Sequence, residues 1–147
     1  MQRREMLKIL GALAAAGVLP EAWAQEWNKA AFDVKSVPEA LRALGAQGVA
    51  ASEAIVITAP EIAENGAVVP IAVTSRLPGT QSIALLIEKN PQPLAASFTL
   101  PAGTETSVST RVKMAETSDV HAVVKTADGR TYAAKKEIKI TLGGCGG

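Results

Sequence analysis

Very few side chains in this 147-residue chain can do covalent chemistry, because it has one cysteine, Cys145, and one histidine, His121. A cysteine thiolate is a nucleophile and can carry a covalent adduct. Cys145 lies within the run GGCGG, and its glycine neighbours are Gly143, Gly144, Gly146 and Gly147. Glycines provide no side chain for packing and lose the most backbone entropy on ordering, so a buried structural cysteine is not expected there. The pattern predicts a thiol on a thin, flexible tail.

His121 lies in the run DVHAVVKT, where strand alternation places its side chain outside the core face. It is therefore predicted to be a surface or interface residue. A Cys–His nucleophile pair is conceivable, but a base in mid-strand and a thiol on a tail have no fixed geometry. One Cys and one His do not make a zinc or copper ligand set, and no nucleotide-binding or nucleophile-elbow motif occurs. We expect no metal, no cofactor and no self-contained catalytic site.

The first 24 residues have the layout of an export signal. Arg3 and Arg4 resemble the twin-arginine motif, and an apolar run of 11 residues follows at positions 9–19. A transmembrane helix needs about 20 residues, so a retained membrane anchor is the weaker interpretation. The box Ala22-Trp23-Ala24 predicts cleavage between Ala24 and Gln25. We expect a mature protein in the periplasm, without a membrane segment.

The net charge of the mature chain does not indicate which class of partner it binds. The whole chain has a net charge of +1, and removal of residues 1–24 takes away three cationic and two anionic side chains. Without a basic, aromatic-rich patch, nucleic acid is not an expected partner. In an exported protein, a lone cysteine is either linked to another chain or kept as a reactive thiol. The twin-arginine pathway exports proteins that are already folded, which favours a protein partner exported together with this chain. The same pathway also suits a fast-folding domain without a partner.

Residues 25–50 are predicted to form short helices. Ser36 and Glu39 match a capping box, Pro38 is placed in the first turn, and Gly45 is placed to end the helix. Leu41 and its neighbours form a short apolar stripe on one face of the helix, and Lys and Arg residues do not line the opposite face. This segment is therefore predicted to pack against the domain and not on a membrane.

Residues 51–142 show the period-two pattern of β-strands separated by turn signals. Seven strands are predicted, at 55–60, 68–75, 82–90, 94–100, 106–114, 119–126 and 131–142. Strands of this number and spacing predict a mainly β, immunoglobulin-like antiparallel sandwich, with short N-terminal helices and the flexible tail 143–147. The residues predicted to face the core in the last three strands are Val108, Val112, Met114, Val120, Ala122, Val124, Ile138, Ile140 and Leu142.

Two turn residues add detail to the sandwich. Asp128 and Gly129 separate two alternating runs and predict a hairpin with a type I′ turn, which needs positive φ at both positions. Pro70 lies inside the predicted strand 68–75 and cannot donate a ladder hydrogen bond. It therefore predicts an edge strand or a bulge.

The leader, the seven-strand domain and the terminal GGCGG together resemble the SoxY family, the carrier subunits of the periplasmic Sox sulfur-oxidation system. The segments at 60–73, 107–117 and 128–147 resemble that family as well. The resemblance implies a carrier and not an enzyme, with Cys145 as the covalent attachment site for sulfur intermediates. The glycines of 143–147 would then be a swinging arm. Five extended residues reach roughly 17 Å.

The resemblance also implies partners. A SoxZ-like subunit would form a heterodimer with the chain. The haem enzyme SoxAX would attach thiosulfate oxidatively, SoxB would release sulfate by hydrolysis, and SoxCD, where present, would oxidise the remaining sulfane sulfur. Deletion of Gly146 and Gly147, or valine at Gly143 and Gly144, is predicted to slow turnover by these enzymes and to leave the fold intact.

Two other functions remain open from the sequence. Some sulfur or acyl carriers end in Gly-Gly and are activated by adenylation of the terminal carboxylate, here that of Gly147. That chemistry needs cytoplasmic ATP, and the leader argues against it. The second alternative is an exported sandwich domain whose Cys145 forms only an intermolecular disulfide.

Overall fold

The computed structural model describes Lys8 and residues 27–144. The leader residues Arg3 and Arg4, the predicted cleavage site at Ala24 and Gln25, and the tail residues Cys145, Gly146 and Gly147 lie outside the described residues. The elements are α1 Lys29–Asp33, α2 Val37–Ala43, β1 Ala50–Ala51, β2 Ile55–Thr58, β3 Ile62–Ala63, β4 Val69–Ser75, β5 Thr80–Ile87, β6 Leu94–Thr99, β7 Ser107–Val112, β8 Ser118–Thr126 and β9 Thr131–Ile140.

The second helix begins and ends where the sequence predicts. Ser36 is its N-cap, and the Ser36 hydroxyl oxygen accepts a hydrogen bond from the backbone N–H of Glu39 at 3.4 Å. The same hydroxyl lies 2.9 Å from the Glu39 carboxylate, so the two side chains pair directly. Gly45 follows the helix with a φ of +69°, the left-handed conformation that favours glycine. The predicted cap and stop are both confirmed.

Two sheets form the sandwich. The larger has the order β1-β9-β8-β5-β6, with β3 also paired to β9, and the smaller has the order β2-β4-β7. The seven predicted strands correspond to β2 and β4–β9, so the mainly β, immunoglobulin-like fold is confirmed. β1 and β3 are additional two-residue strands that pair parallel with β9. Strands this short leave no alternation to recognise in the sequence.

The core lies between the two sheets and is mostly aliphatic. Of the predicted inward residues, those that are buried are Val112, Met114, Val120, Ala122, Val124 and Ile138. Val108 and Ile140 are partly buried against this core. The prediction for Leu142 is wrong, since its side chain is 66% exposed. β9 ends at Ile140, and strand alternation does not extend to a residue two positions beyond it.

The helices cover part of the outer face of the larger sheet. Ala31 and Ala40 are fully buried there, in a second cluster with Leu86 and Val123 of β5 and β8. Strands that are covered on both faces lose their polar alternation. This explains why the second half of β5 reads as a continuous apolar run.

Pro70 lies in β4, which is the central strand of the smaller sheet, so the prediction of an edge strand is wrong. Pro70 pairs with Arg111 of β7. On the other side, β2 pairs only with the segment 72–75 of β4. At Pro70, one side of β4 therefore has no described strand partner. A proline is tolerated there because no ladder hydrogen bond on that side needs its N–H.

The hairpin between β8 and β9 is present, but its turn is not type I′. Asp128 has no positive φ, whereas Gly129 has a φ of +82°. The backbone N–H of Gly129 donates to the Thr126 carbonyl at 3.0 Å, and the Thr126 N–H donates to the Arg130 carbonyl at 3.0 Å. This is a three-residue loop closed by a glycine bulge, which needs only one residue with positive φ.

Asp128 stabilises this loop through its carboxylate. The carboxylate accepts hydrogen bonds from the Thr126 hydroxyl and from the Arg130 backbone N–H, and these lower the pKa of Asp128 below its ordinary value of 3.8. A lowered folded-state pKa gives stability that is present above the unfolded-state pKa and is lost as the pH falls through the folded-state pKa.

We predict that Asp128→Asn lowers the free energy of unfolding at pH 6, because the neutral amide makes weaker hydrogen bonds than the carboxylate. The difference from the wild type should shrink as the pH falls below 3.8 and Asp128 becomes protonated. Urea unfolding of both proteins at a series of pH values measures this difference in the free energy of unfolding. Glu105→Gln, at another exposed loop position, controls for the loss of one charge. A difference that is independent of pH would contradict the prediction.

Candidate functional site

The chain leaves β9 along the turn that follows β3. The backbone N–H of Thr141 donates to the Ala63 carbonyl at 3.2 Å, and the N–H of Gly66 donates to the Leu142 carbonyl at 2.7 Å. The parallel pairing of β3 with β9 is thereby continued for two residues beyond the end of the strand. The segment leading to Cys145 is therefore held against residues 63–66.

Met114 links this segment to the sandwich core. Its backbone N–H donates to the Gly66 carbonyl at 2.7 Å, and its carbonyl accepts from the Gly144 N–H at 2.9 Å. The Met114 side chain is fully buried. We call the place where these backbones meet the tail junction, formed by Gly66, Met114, Ala115, Gly143 and Gly144.

Close contact between backbones explains the glycines of the tail junction. A Cβ atom added to Gly66 would lie 2.4 Å from the Met114 carbonyl oxygen, and one added to Gly143 would lie 2.2 Å from that of Ala115. At Gly144 it would lie 2.3 Å from the Gly66 backbone. None of these three glycines has a positive φ, unlike the other five that are described. Glycine is required here for space and not for backbone conformation.

The packing changes the prediction for the arm. Gly143 and Gly144 contact the domain through their backbones, so two of the five residues of the predicted arm belong to the tail junction. The valine prediction assumed a free arm at these positions, whereas any side chain there would overlap backbone atoms and force the tail junction to shift. Cys145 follows directly after the last residue of this contact.

Asn90 supports the tail junction from outside. Its side-chain amide donates to the Lys113 carbonyl at 2.7 Å, and its side-chain carbonyl accepts from the Ala115 N–H at 2.9 Å. The side chain thus acts like a strand partner for the segment around Met114, beyond the end of β7. In the sequence Asn90 and Gly66 are typical turn residues. No sequence signal connects them to residues 143–144.

Exposed aliphatic side chains lie on the two segments that meet at the tail junction. Ile62, Val68 and Leu142 are 59%, 53% and 66% exposed. They account for three of the five large hydrophobic side chains that are exposed in the described part of the chain. We call these three residues the apolar rim.

His121 lies outside the sandwich core, as predicted, and is partly buried. Its Nε2 atom lies 3.0 Å from the Glu88 carboxylate. It also lines a groove with Val49, Ser52 and Ala133 on the outer face of the larger sheet. Among the described residues, no three or more His, Cys, Asp or Glu side chains form a group that could hold a metal ion. In the same residues no helix is long and apolar enough to cross a membrane.

Comparison with known proteins identifies the family. A family model described as sulfur oxidation protein SoxY matches residues 41–145, which include every strand and Cys145. The chain belongs to the SoxY family. No curated protein matches it.

Solved structures agree with this family. The sulfur carrier protein SoxY from Chlorobium limicola f thiosulfatophilum is 38% identical to the chain, with a TM-score of 0.63 over 69% of this chain and 92% of that one. A superoxide reductase (neelaredoxin) from Ignicoccus hospitalis is 18% identical, with a TM-score of 0.53 over 58% of this chain and 78% of that one. A putative superoxide reductase from Thermotoga maritima is 20% identical, with a TM-score of 0.52 over 58% and 84%. The reductases share the fold alone with this SoxY family member.

We predict that Asn90→Ala lowers the free energy of unfolding by about 1–2 kcal/mol, because two hydrogen bonds to the backbone beside Met114 are lost. Urea unfolding measures this loss. Gln92→Ala, at an exposed position in the same turn, is the matched control and should change stability by less than about 0.5 kcal/mol. Equal stabilities of the two variants would show that Asn90 does not support the tail junction.

Proposed function

We propose that this protein is a non-catalytic sulfur carrier that holds thiosulfate-derived intermediates on Cys145. The observation that carries the proposal is the SoxY family match, which extends to Cys145, the only thiol of the chain. The tail junction supports it, because it holds Gly144 and so fixes the point from which the thiol extends. The Chlorobium SoxY, which is a sulfur carrier protein by name, has the same fold.

The proposed cycle changes only the sulfur atom of Cys145. Oxidative attachment joins the thiol to the outer sulfur of thiosulfate, forms an S–S bond, and releases one proton and two electrons to a haem enzyme of the SoxAX type. Hydrolysis by a SoxB-type enzyme then adds water, releases sulfate and leaves a persulfide on Cys145. Where a SoxCD-type enzyme is present, it oxidises that sulfane sulfur to a sulfonate with oxygen from water and takes up the electrons released. A second hydrolysis then releases sulfate and restores the Cys145 thiol. No cofactor of the carrier itself is needed, since covalent attachment keeps the intermediate at high local concentration.

The partners and the compartment are part of the same proposal. A SoxZ-like subunit would form a heterodimer with the chain, and the enzymes of thiosulfate oxidation would bind it transiently. The twin-arginine leader with Arg3 and Arg4 supports export of the folded complex to the periplasm.

The apolar rim is the surface that we assign to these transient enzymes. Cys145 follows Gly144 directly, and Gly144 is hydrogen bonded to the domain. An active site that receives Cys145 while Gly144 stays hydrogen bonded must come close to the surrounding surface, where Ile62, Val68 and Leu142 are exposed. Exposed aliphatic side chains of this kind gain free energy when a partner covers them.

We expect intact protein purified from its periplasm without reductant to carry adducts of thiosulfate or sulfane mass on Cys145, as measured by mass spectrometry. Cys145→Ser should abolish the adducts and the thiosulfate-dependent respiration of a complemented deletion strain, because serine forms no S–S bond. Circular dichroism of the variant controls for folding. A modified Gly147 carboxylate would reject the proposal in favour of adenylation chemistry. Full respiration with Cys145→Ser would reject it in favour of a disulfide role.

We predict that Ile62→Ser and Val68→Ser each lower kcat/KM of the sulfate-releasing enzyme by up to about tenfold. The main effect should be a higher KM, because less apolar surface is covered in the complex of carrier and enzyme. Steady-state kinetics with the thiosulfate-loaded carrier measure this effect. Val56→Ser is the matched control, since Val56 is exposed on β2 and is not part of the apolar rim. An equal loss of kcat/KM in the control would contradict the assignment.

A further inference from the structure

We infer that Gly66 and Asn90 are positioning residues for Cys145, because they hold the tail junction closed and thereby set the reach of the thiol. This inference rests on the proposed carrier function and adds to it a defined closed state of the tail. Neither residue belongs to the GGCGG run.

The hydrogen bonds of the tail junction connect three segments that are far apart in the chain. Gly66 donates to Leu142 and accepts from Met114, and Met114 accepts from Gly144. Met114 therefore cannot move away from Gly66 without also changing its contact with Gly144. Asn90 holds the carbonyl of Lys113 and the N–H of Ala115, which are the backbone groups on either side of Met114.

The tail junction has no room for a methyl group at any of its three glycines. The atoms that an added Cβ would meet most closely are backbone atoms, at 2.2–2.4 Å. A flexible side chain could rotate away from such an overlap, whereas backbone held by hydrogen bonds has to be displaced. A single methyl group at Gly66 is thus enough to open the tail junction, although Gly66 lies nearly 80 residues before the thiol.

Closure limits how far the thiol extends. The Cα atom of Cys145 is about 3.8 Å from that of Gly144, and its side chain adds roughly 3 Å, so the sulfur stays within about 7 Å of Gly144. If the Gly144–Met114 hydrogen bond opens, three extended residues after Leu142 carry the sulfur to roughly 13 Å from Leu142. Opening thus moves the last fixed residue back from Gly144 to Leu142, and the radius within which the sulfur can move about that fixed residue roughly doubles. An active site that lies deeper than the closed tail can reach would require the tail junction to open.

A spin label tests the inference directly, because Cys145 is the only cysteine and is labelled uniquely. We expect the label on the wild-type protein to show restricted motion by electron paramagnetic resonance. In Gly66→Ala and Gly144→Ala the fast-motion fraction should rise severalfold, and in Asn90→Ala it should rise less. Gly103→Ala is the matched control, since Gly103 lies in the loop at the opposite end of β7, with φ of +82° and no atom within 4 Å of an added Cβ.

The control variant should lose stability from backbone strain and keep the restricted spectrum, which separates positioning from general destabilisation. Identical spectra in the wild type and in Gly66→Ala would overturn the inference. If Gly66→Ala does not fold, hydrogen exchange of the wild-type protein decides the question. The Gly144 amide should then exchange about tenfold or more below its intrinsic rate, and exchange at the intrinsic rate would overturn the inference. Absence of sulfur adducts would instead reject the proposed function and leave these measurements unaffected.

Discussion

The two backbone hydrogen bonds of Met114 fix the position of Gly144, the residue before Cys145. The N–H and carbonyl groups of Met114 bind Gly66 and Gly144, while its side chain is fully buried between the sheets. Because a close-packed core tolerates little displacement, the burial of this side chain also fixes the positions of the two polar groups. The place from which Cys145 extends is thus determined by the packing of the sandwich.

The larger sheet of the sandwich supports the strand that leads to the tail. The larger sheet is covered by the smaller one on its inner face and by the helical segment on part of its outer face. This double coverage buries β5 and β8 and makes them a rigid support for β9, which leads to the tail. The superoxide reductases show that the same fold occurs with other chemistry. In this SoxY family member, the only cysteine follows the segment where the end of β9 meets the loops beside it.

Local patterns predicted the parts of the fold that depend on local interactions. The cap at Ser36, the stop at Gly45 and the alternation of β8 are properties of neighbouring residues, and all are confirmed. The chemical candidate Cys145 was also evident, because its isolation is a matter of composition. The tail junction could not be predicted, since it joins Gly66 to Gly144 across most of the domain. Glycine looks the same in a sequence whether it provides flexibility or allows close packing.

The parallel pairing of β3 with β9 has a mechanical consequence. A pull on Gly144 along the direction of β9 applies tension to the backbone after Ile140. Hydrogen bonds that run across two parallel segments resist such tension together, in shear, whereas a peeled strand would lose them one at a time. The bonds from Thr141 to Ala63 and from Gly66 to Leu142 share this tension before it reaches β9. A pull along this direction would therefore load both hydrogen bonds together before it could separate β9 from the sheet.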